Sequence, residues 1–381
     1  MIYLDYNATT PVDQRVLDTM LPYFKEKFGN AASKTHSLGW IAEAAVTKAR
    51  EQVAKVIGAT QHEIVFTSGA TEAINTAIKG VWETYHDEQK NHIITAATEH
   101  KAVLDTCKYL ETKGARVTYL PVKPTGLIDL EELKQAITPS TILVSIMYVN
   151  NETGVIQPIR EIAKMVRDLN RNDCFFMSDA TQAVGKIKID VENDHIDLLC
   201  MSGHKFYAPK GVGALYVRRK NPRVNLTALI HGGGHERGLR SGTLNVPCIV
   251  ALGKACEIAE TEMKEDADRI VLLRDRLENE IISSFNAGEV IINGSPTNRL
   301  YNVSNLSFKT IKGDSLISKL PDIAVSAGSA CTSDMPESSH VLNAMGISGE
   351  IAFSSVRFSL GKYTTKKDID TTIAQVREKV R

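Results

Sequence analysis

The chain has no excess of either charge, no long apolar run and no paired cysteine motif, and each absence excludes something. Lysine plus arginine and aspartate plus glutamate both number 45, for a net charge of zero. General binders of nucleic acid or membrane surfaces normally carry a basic excess, so neither partner is expected. No stretch reaches the roughly 18 uninterrupted apolar residues of a spanning helix. The opening MIYLDYNATTP lacks the charged start and apolar run of a signal peptide. Six cysteines (Cys107, Cys174, Cys200, Cys248, Cys256 and Cys331) are scattered without a CxxC pair, so neither a metal site nor a disulfide framework is signalled. Five of them read as small buried hydrophobes. A cytoplasmic, reducing location is the expectation. No repeat or low-complexity segment is present.

What remains is the balance of a globular protein: 381 residues, 43% hydrophobic and 24% charged. Helical spacing of apolar positions runs from about Leu38 to a stop at Gly58. Short β-rich runs and helices then alternate. EIVFT (63–67), HIITA (92–96), RVTYL (116–120), TILVSIM (141–147) and CFFMS (174–178) read as strands, with helices over 70–85, 101–113, 130–137 and 159–170 between them. That alternation predicts an α/β fold with a mainly parallel sheet covered on both faces. Further strands are expected near 196–201 and 212–217. Residues 221–246 are Gly-rich and irregular, a long helix is expected over 247–285, and an amphipathic helix over 366–380 closes the chain. We place a large α/β domain at 15–260 and a smaller α+β domain at 1–14 and 261–381.

Ligands of parallel α/β sheets gather at the carboxyl ends of the strands, so the residues just past each strand are the place to look for a site. After EIVFT comes SGATEA, where backbone N–H groups and the Thr71 hydroxyl would suit a phosphate; a plain helix cap is the alternative. HIITA leads to Glu99 and His100, TILVSIM to Asn151, CFFMS to Asp179 and Gln182. The strand at 196–201 leads to Ser202, His204 and Lys205. One such strand end is unremarkable, and each residue alone has a structural reading: Asp179 as a cap, Lys205 as a surface lysine. Five together are hard to explain by packing. A lysine beside a phosphate site suggests a carbonyl cofactor held as a Schiff base. Pyridoxal phosphate also needs a carboxylate against its pyridine nitrogen, which Asp179 can supply. Gln182 can reach the ring's phenolic oxygen.

Three segments lie outside this frame. HGGGHERGLRSGTLN (231–245) is a Gly-rich loop with two arginines, read as a flexible lid or a second phosphate contact. VSAGSACTS (325–333) sets Cys331 among small residues, where an exposed thiolate could act as a nucleophile. SSVRFSLG (354–361) puts Arg357 in an otherwise apolar strand: a bidentate clamp on a substrate carboxylate, or a structural salt bridge.

LDYNATTP, SGATEA, TEHKAVLDTC, VNNETGV, DATQAVG, SGHKFYAPKGVGALYVR, GGGHERGLRSGT, SAGSACTS and SSVRFSLG occur in order over nearly the whole chain. Together they resemble the cysteine desulfurases of the iron–sulfur assembly and nitrogen-fixation type, within the class V aminotransferases. The resemblance implies a fold-type-I architecture, a homodimer and pyridoxal 5'-phosphate on Lys205. It places Ala70, Thr71, Asn151, Gln182, Ser202 and His204 against the cofactor, His100 on its ring, and Asp179 at its nitrogen. Thr243 would reach the partner subunit's cofactor. Arg357, helped by Asn151, would bind the carboxylate of L-cysteine, Lys205 or His100 would move the Cα proton, and Cys331 would take the sulfur as a persulfide. A mobile segment over 328–335 is then expected, since the sulfur must travel on to an acceptor such as an iron–sulfur scaffold protein. Ala31 and Asn245 stand where many relatives have proline. The chain stops at Arg381, where housekeeping members carry a longer tail, which points to a nitrogen-fixation-like member or a shortened chain. Competing readings are a selenocysteine lyase, another class V aminotransferase with no need of Cys331, or a non-catalytic sulfur carrier with no need of Lys205.

Overall fold

In the computed structural model, residues 1–170, 174–309, 317–327 and 338–380 are described. Cys331 and the whole segment expected to be mobile, 328–335, lie outside them. The chain opens with β1 (Ile2–Tyr3), α1 (Gln14–Met20), α2 (Pro22–Lys25) and α3 (Ser37–Val56). Next come β2 (Ile64–Thr67), α4 (Ala70–Tyr85), β3 (His92–Ala96), α5 (Lys101–Glu111), β4 (Arg116–Leu120), α6 (Leu130–Ala136), β5 (Thr141–Ser145), α7 (Ile159–Asn170) and β6 (Phe175–Asp179). After β7 (Leu198–Ser202) and β8 (Gly213–Val217) the alternation gives way to one 37-residue helix, α8 (Val246–Ile282).

These strands form a seven-stranded sheet in the order β2-β8-β7-β6-β5-β3-β4. β8 runs against both its neighbours, and every other pairing is parallel. β2, β3, β4, β5, β6 and β7 therefore share one direction, and their carboxyl ends lie along one edge. Successive residues of a strand face opposite sides, and the two cores obey that period. Ile93, Leu143, Phe175, Met177, Leu198 and Cys200 join one core with Ala73, Ile74, Ala77, Ile78 and Val81 of α4. Ile94, Val144, Phe176, Leu199 and Met201 join the other, with Ala42, Val46, Ala49 and Val53 of α3. Because both faces are covered, the strands read as unbroken apolar runs.

Helix α8, about 55 Å long at 1.5 Å per residue, serves two cores. Its first part, through Ile258, packs with α3 on the sheet. Ile270, Leu277 and Ile281 belong instead to a third core. That core sits on an antiparallel sheet in the order β12 (Ser326–Ala327), β13 (Ser355–Ser359), β10 (Val303–Phe308) and β9 (Val290–Ile292). Helix Lys366–Lys379 covers it through Ile369, Ile373 and Val376. The N-terminal arm joins this part: β1 pairs in parallel with β11 (Ile323–Ala324), and Asp5 bridges to Ser359. The strand expected over 141–147 ends at Ser145, where the chain leaves the ladder toward the site.

Candidate functional site

The sheet order fixes which strand ends meet. Across the thin β8, the turn after β2 comes beside the end of β7; the ends of β6, β5 and β3 lie next along the edge. Close approach there depends on Gly213, since a Cβ at that position would lie 2.4 Å from the Met201 carbonyl oxygen and 2.7 Å from the Gly69 Cα. The result is a cavity of about 580 Å³ at the shared edge. Ala70, Thr71, His100, Asn151, Asp179, Gln182, Ser202, His204, Lys205 and Arg357 all line it. Thr243 does not, and is exposed. Of the cysteines, Cys107, Cys174, Cys200 and Cys256 are buried as expected, while Cys248 is half-buried.

Helix α4 starts at Ala70 behind Gly69 with no side chain capping it. Its first-turn N–H groups thus face the cavity mouth with the positive end of a 16-residue helix. Ser68 and Thr71 stand beside them. His204 completes that corner, its Nδ1 3.1 Å from Thr9 Oγ1. Burial, with Lys205, Lys210 and Lys186 nearby, pushes the His204 pKa down to about 4, so the ring is a neutral hydrogen-bonding group at neutral pH.

Lys205 lies past β7 in a single 3-10 turn. Its Nζ donates to the backbone carbonyls of Asn7 at 2.7 Å and Ala8 at 2.8 Å. Burial first, and the Arg357 charge second, lower its pKa to about 8, against the pull of Asp179 and Asp5. A lysine so placed carries usable free amine near neutral pH. Asp179 ends β6 and is 5% exposed. One carboxylate oxygen accepts from Thr181 N at 3.0 Å and Thr181 Oγ1 at 2.5 Å. The cap-like local role of Asp179 is therefore real, yet it occupies only one oxygen.

His100 caps α5 through Nδ1, which accepts from Ala102 N at 3.1 Å. Its ring is exposed on the cavity, yet the protein around it removes enough water to lower its pKa; Asp179 opposes this, while Lys205 and His340 add to it. Arg357 lies on β13 and meets the cavity from the smaller sheet. It donates to the Asn151 carbonyl at 2.8 Å and pairs with Asp5 at 2.6 Å. Clamp and salt bridge thus both have a basis: a structural ion pair exists, and the guanidinium lines the cavity with its buried Nε unpartnered among the described residues.

Two features correct or extend the sequence reading. The Gly-rich loop 231–245 is no loose lid. Glu236, 6% exposed, pairs with Arg50 at 2.5 Å and accepts from Phe66 N at 2.8 Å. Arg237 donates to the Ile64 carbonyl, and Arg240 pairs with Glu72 at 2.7 Å, so both arginines tie the loop to the protein. The sequence reading also missed Asn7 and Lys186. Asn7 sits in LDYNATTP and lines the cavity. Lys186 comes directly after DATQAVG, and its one signal was a charge four residues beyond Gln182 in an apolar stretch.

A strand-end cavity that brings together a lysine of lowered pKa, a carboxylate and an uncapped helix start has the groups to hold a phosphate-bearing aldehyde. The chain belongs to the aminotransferase class-V family, whose model matches residues 2–372. It is 53% identical over 379 residues to the cysteine desulfurase IscS of Rickettsia massiliae, covering 100% of this chain and 91% of that one. The IscS of Rickettsia akari is 54% identical with the same coverage. Among solved structures, a NifS-like protein matches with a TM-score of 0.91 at 42% identity, over 99% of this chain and 98% of its own. A structure named SspA in complex with cysteine matches at 0.82 and 39%, over 96% and 100%.

Proposed function

We propose that this chain is a pyridoxal-phosphate-dependent cysteine desulfurase that converts L-cysteine to L-alanine and holds the sulfur as a persulfide on Cys331. One observation carries the reading: the Lys205 amine and the Asp179 carboxylate line the same cavity, close enough that Asp179 raises the pKa of Lys205. The residues suit the cofactor. The open N-terminus of α4, Ser202 and neutral His204 form a phosphate corner, Asp179 has an oxygen left for a ring nitrogen, and Gln182 offers an amide. When bound, pyridoxal phosphate supplies an electron sink conjugated to the substrate's Cα.

The chain's own groups do the rest. Arg357, with Asn151 beside it, holds the substrate carboxylate with the guanidinium that lines the cavity. Lys205, freed as an amine, takes the Cα proton, with His100 placed to share that transfer. The Cys331 thiolate attacks the substrate's γ-sulfur, forming an S–S bond as the Cβ–S bond breaks. Protonation of Cβ and return of a proton to Cα give alanine. The same reading makes the protein a cytoplasmic homodimer in which Thr243, exposed on the pinned loop, serves the partner's cofactor. The sulfur then passes to an acceptor such as an iron–sulfur scaffold protein.

The test is reconstitution. Protein given pyridoxal phosphate should turn yellow and release one alanine per sulfur from L-cysteine, with a thiol-specific probe locating the persulfide at Cys331. Cys331→Ala should keep the colour and lose the persulfide. A colourless protein that ignores the cofactor, or undiminished sulfide release by Cys331→Ala without a thiol acceptor, overturns the proposal.

A further inference from the structure

Lys186 is 7% exposed, yet among the described residues it pairs with no carboxylate. Its Nζ donates to Gln182 Oε1 at 2.6 Å and reaches Asn7 Oδ1 at 3.4 Å. Gln182 in turn donates from Nε2 to the Asn7 carbonyl at 2.9 Å. That carbonyl can only accept, and it also takes Lys205 Nζ. A side-chain amide has two nearly equivalent orientations, and here both ends are dictated. The acceptor faces the lysine and the donor faces Asn7, in a residue that lines the cavity. Nε2 carries a second hydrogen that Asn7 does not use.

We propose that Lys186 is a positioning residue that locks the Gln182 amide in one orientation, so that its NH2 is always the end presented to the cofactor's ring oxygen. The inference rests on the cofactor reading above. Lys186 touches neither cofactor nor substrate in this scheme; it acts through Gln182. A buried lysine suits the task better than a carboxylate, which would turn the amide the other way. Burial, with Lys205 and Arg357 nearby, pushes the Lys186 pKa well below the usual lysine range; charged or neutral, its Nζ keeps the hydrogens that Gln182 Oε1 and Asn7 Oδ1 accept. Leaving such a group buried is costly, and an apolar residue of its shape would fill the space at less cost.

The readout is the pH titration of the bound cofactor's visible band. A donor at the ring oxygen stabilises the negative charge that remains when the chromophore loses its proton, so losing the donor raises the midpoint. Lys186→Met should raise it by about half a unit or more, a factor of about three in the proton equilibrium. Gln182→Ala should do the same, and the double variant should shift no further than Gln182→Ala alone, because both act through one amide. Should Lys186→Met fail to fold, Lys186→Gln carries the same cycle with a smaller expected shift. A wild-type midpoint in the Lys186 variant, or shifts that add in the double variant, overturns this inference alone. Wild-type protein without the band overturns the cofactor reading and this inference with it.

Discussion

Aldehyde capture by Lys205 should quicken about tenfold per pH unit up to about pH 8 and then level off, because only the neutral amine attacks. Burial is the main cause of the lowered pKa, and the Arg357 guanidinium is the next. Against an ordinary lysine at 10.5, a pKa of about 8 leaves about 300 times more neutral amine at pH 7. Arg357→Gln removes that positive neighbour and frees Asp5, which raises the Lys205 pKa. The break should then move upward by on the order of one unit, slowing capture at pH 7 about tenfold. The assay is stopped-flow absorbance of cofactor-free protein mixed with excess pyridoxal phosphate between pH 7 and 10.5. His204, held down to about 4, is neutral throughout this range, so the break belongs to the lysine. A wild-type rate still climbing at full slope beyond pH 9, or a downward move in Arg357→Gln, refutes the reasoning.

Asp179→Asn keeps an acceptor for the Thr181 N–H and hydroxyl, so the protein should fold and colour normally. Alanine formation should drop at least about a hundredfold once the ring nitrogen loses its carboxylate; near-normal turnover would count against the role given to Asp179. Gly213→Ala forces a methyl against the Met201 carbonyl and Gly69. It should cost about 2 kcal/mol or more and weaken cofactor retention, measured by thermal unfolding and equilibrium dialysis. Glu236→Ala leaves Arg50, 11% exposed, without its buried partner. Urea denaturation should show a loss of about 3–5 kcal/mol, and a loss under about 1 kcal/mol would mean the loop is not pinned as described.

The strands and the five strand-end groups were legible because burial on both faces writes each strand as a short apolar run, and the next residues are then at the ligand edge by topology. Sequence patterning gives no strand direction, so the reversed β8, which brings Ser202 beside Gly69, was beyond it. The Gly-rich loop read as a flexible lid because nothing in its own sequence shows that Glu236 finds Arg50, 186 residues away. The role given to Thr243 rests on resemblance alone, for it does not line the strand-end cavity.

Lys186 shows where single-segment reading fails in principle. A lysine just past a glycine reads as a solvated helix end, and what buries it is the N-terminal arm, whose Asn7 is 179 residues distant. That arm is held by the far end of the chain: Asn7 N donates to Ser359 Oγ at 3.0 Å, Asn7 Nδ2 donates to the Asn151 carbonyl at 3.1 Å, and Asp5 pairs with Arg357. The Asn7 carbonyl then receives both Lys205 and Gln182. The arm therefore does for the site what no strand end can do. It ties Arg357 of the smaller sheet, through Asp5, to Lys205 and Gln182 of the larger one, through the Asn7 carbonyl. A change at Asn7 or Asp5 should therefore disturb Lys205 and Arg357 together.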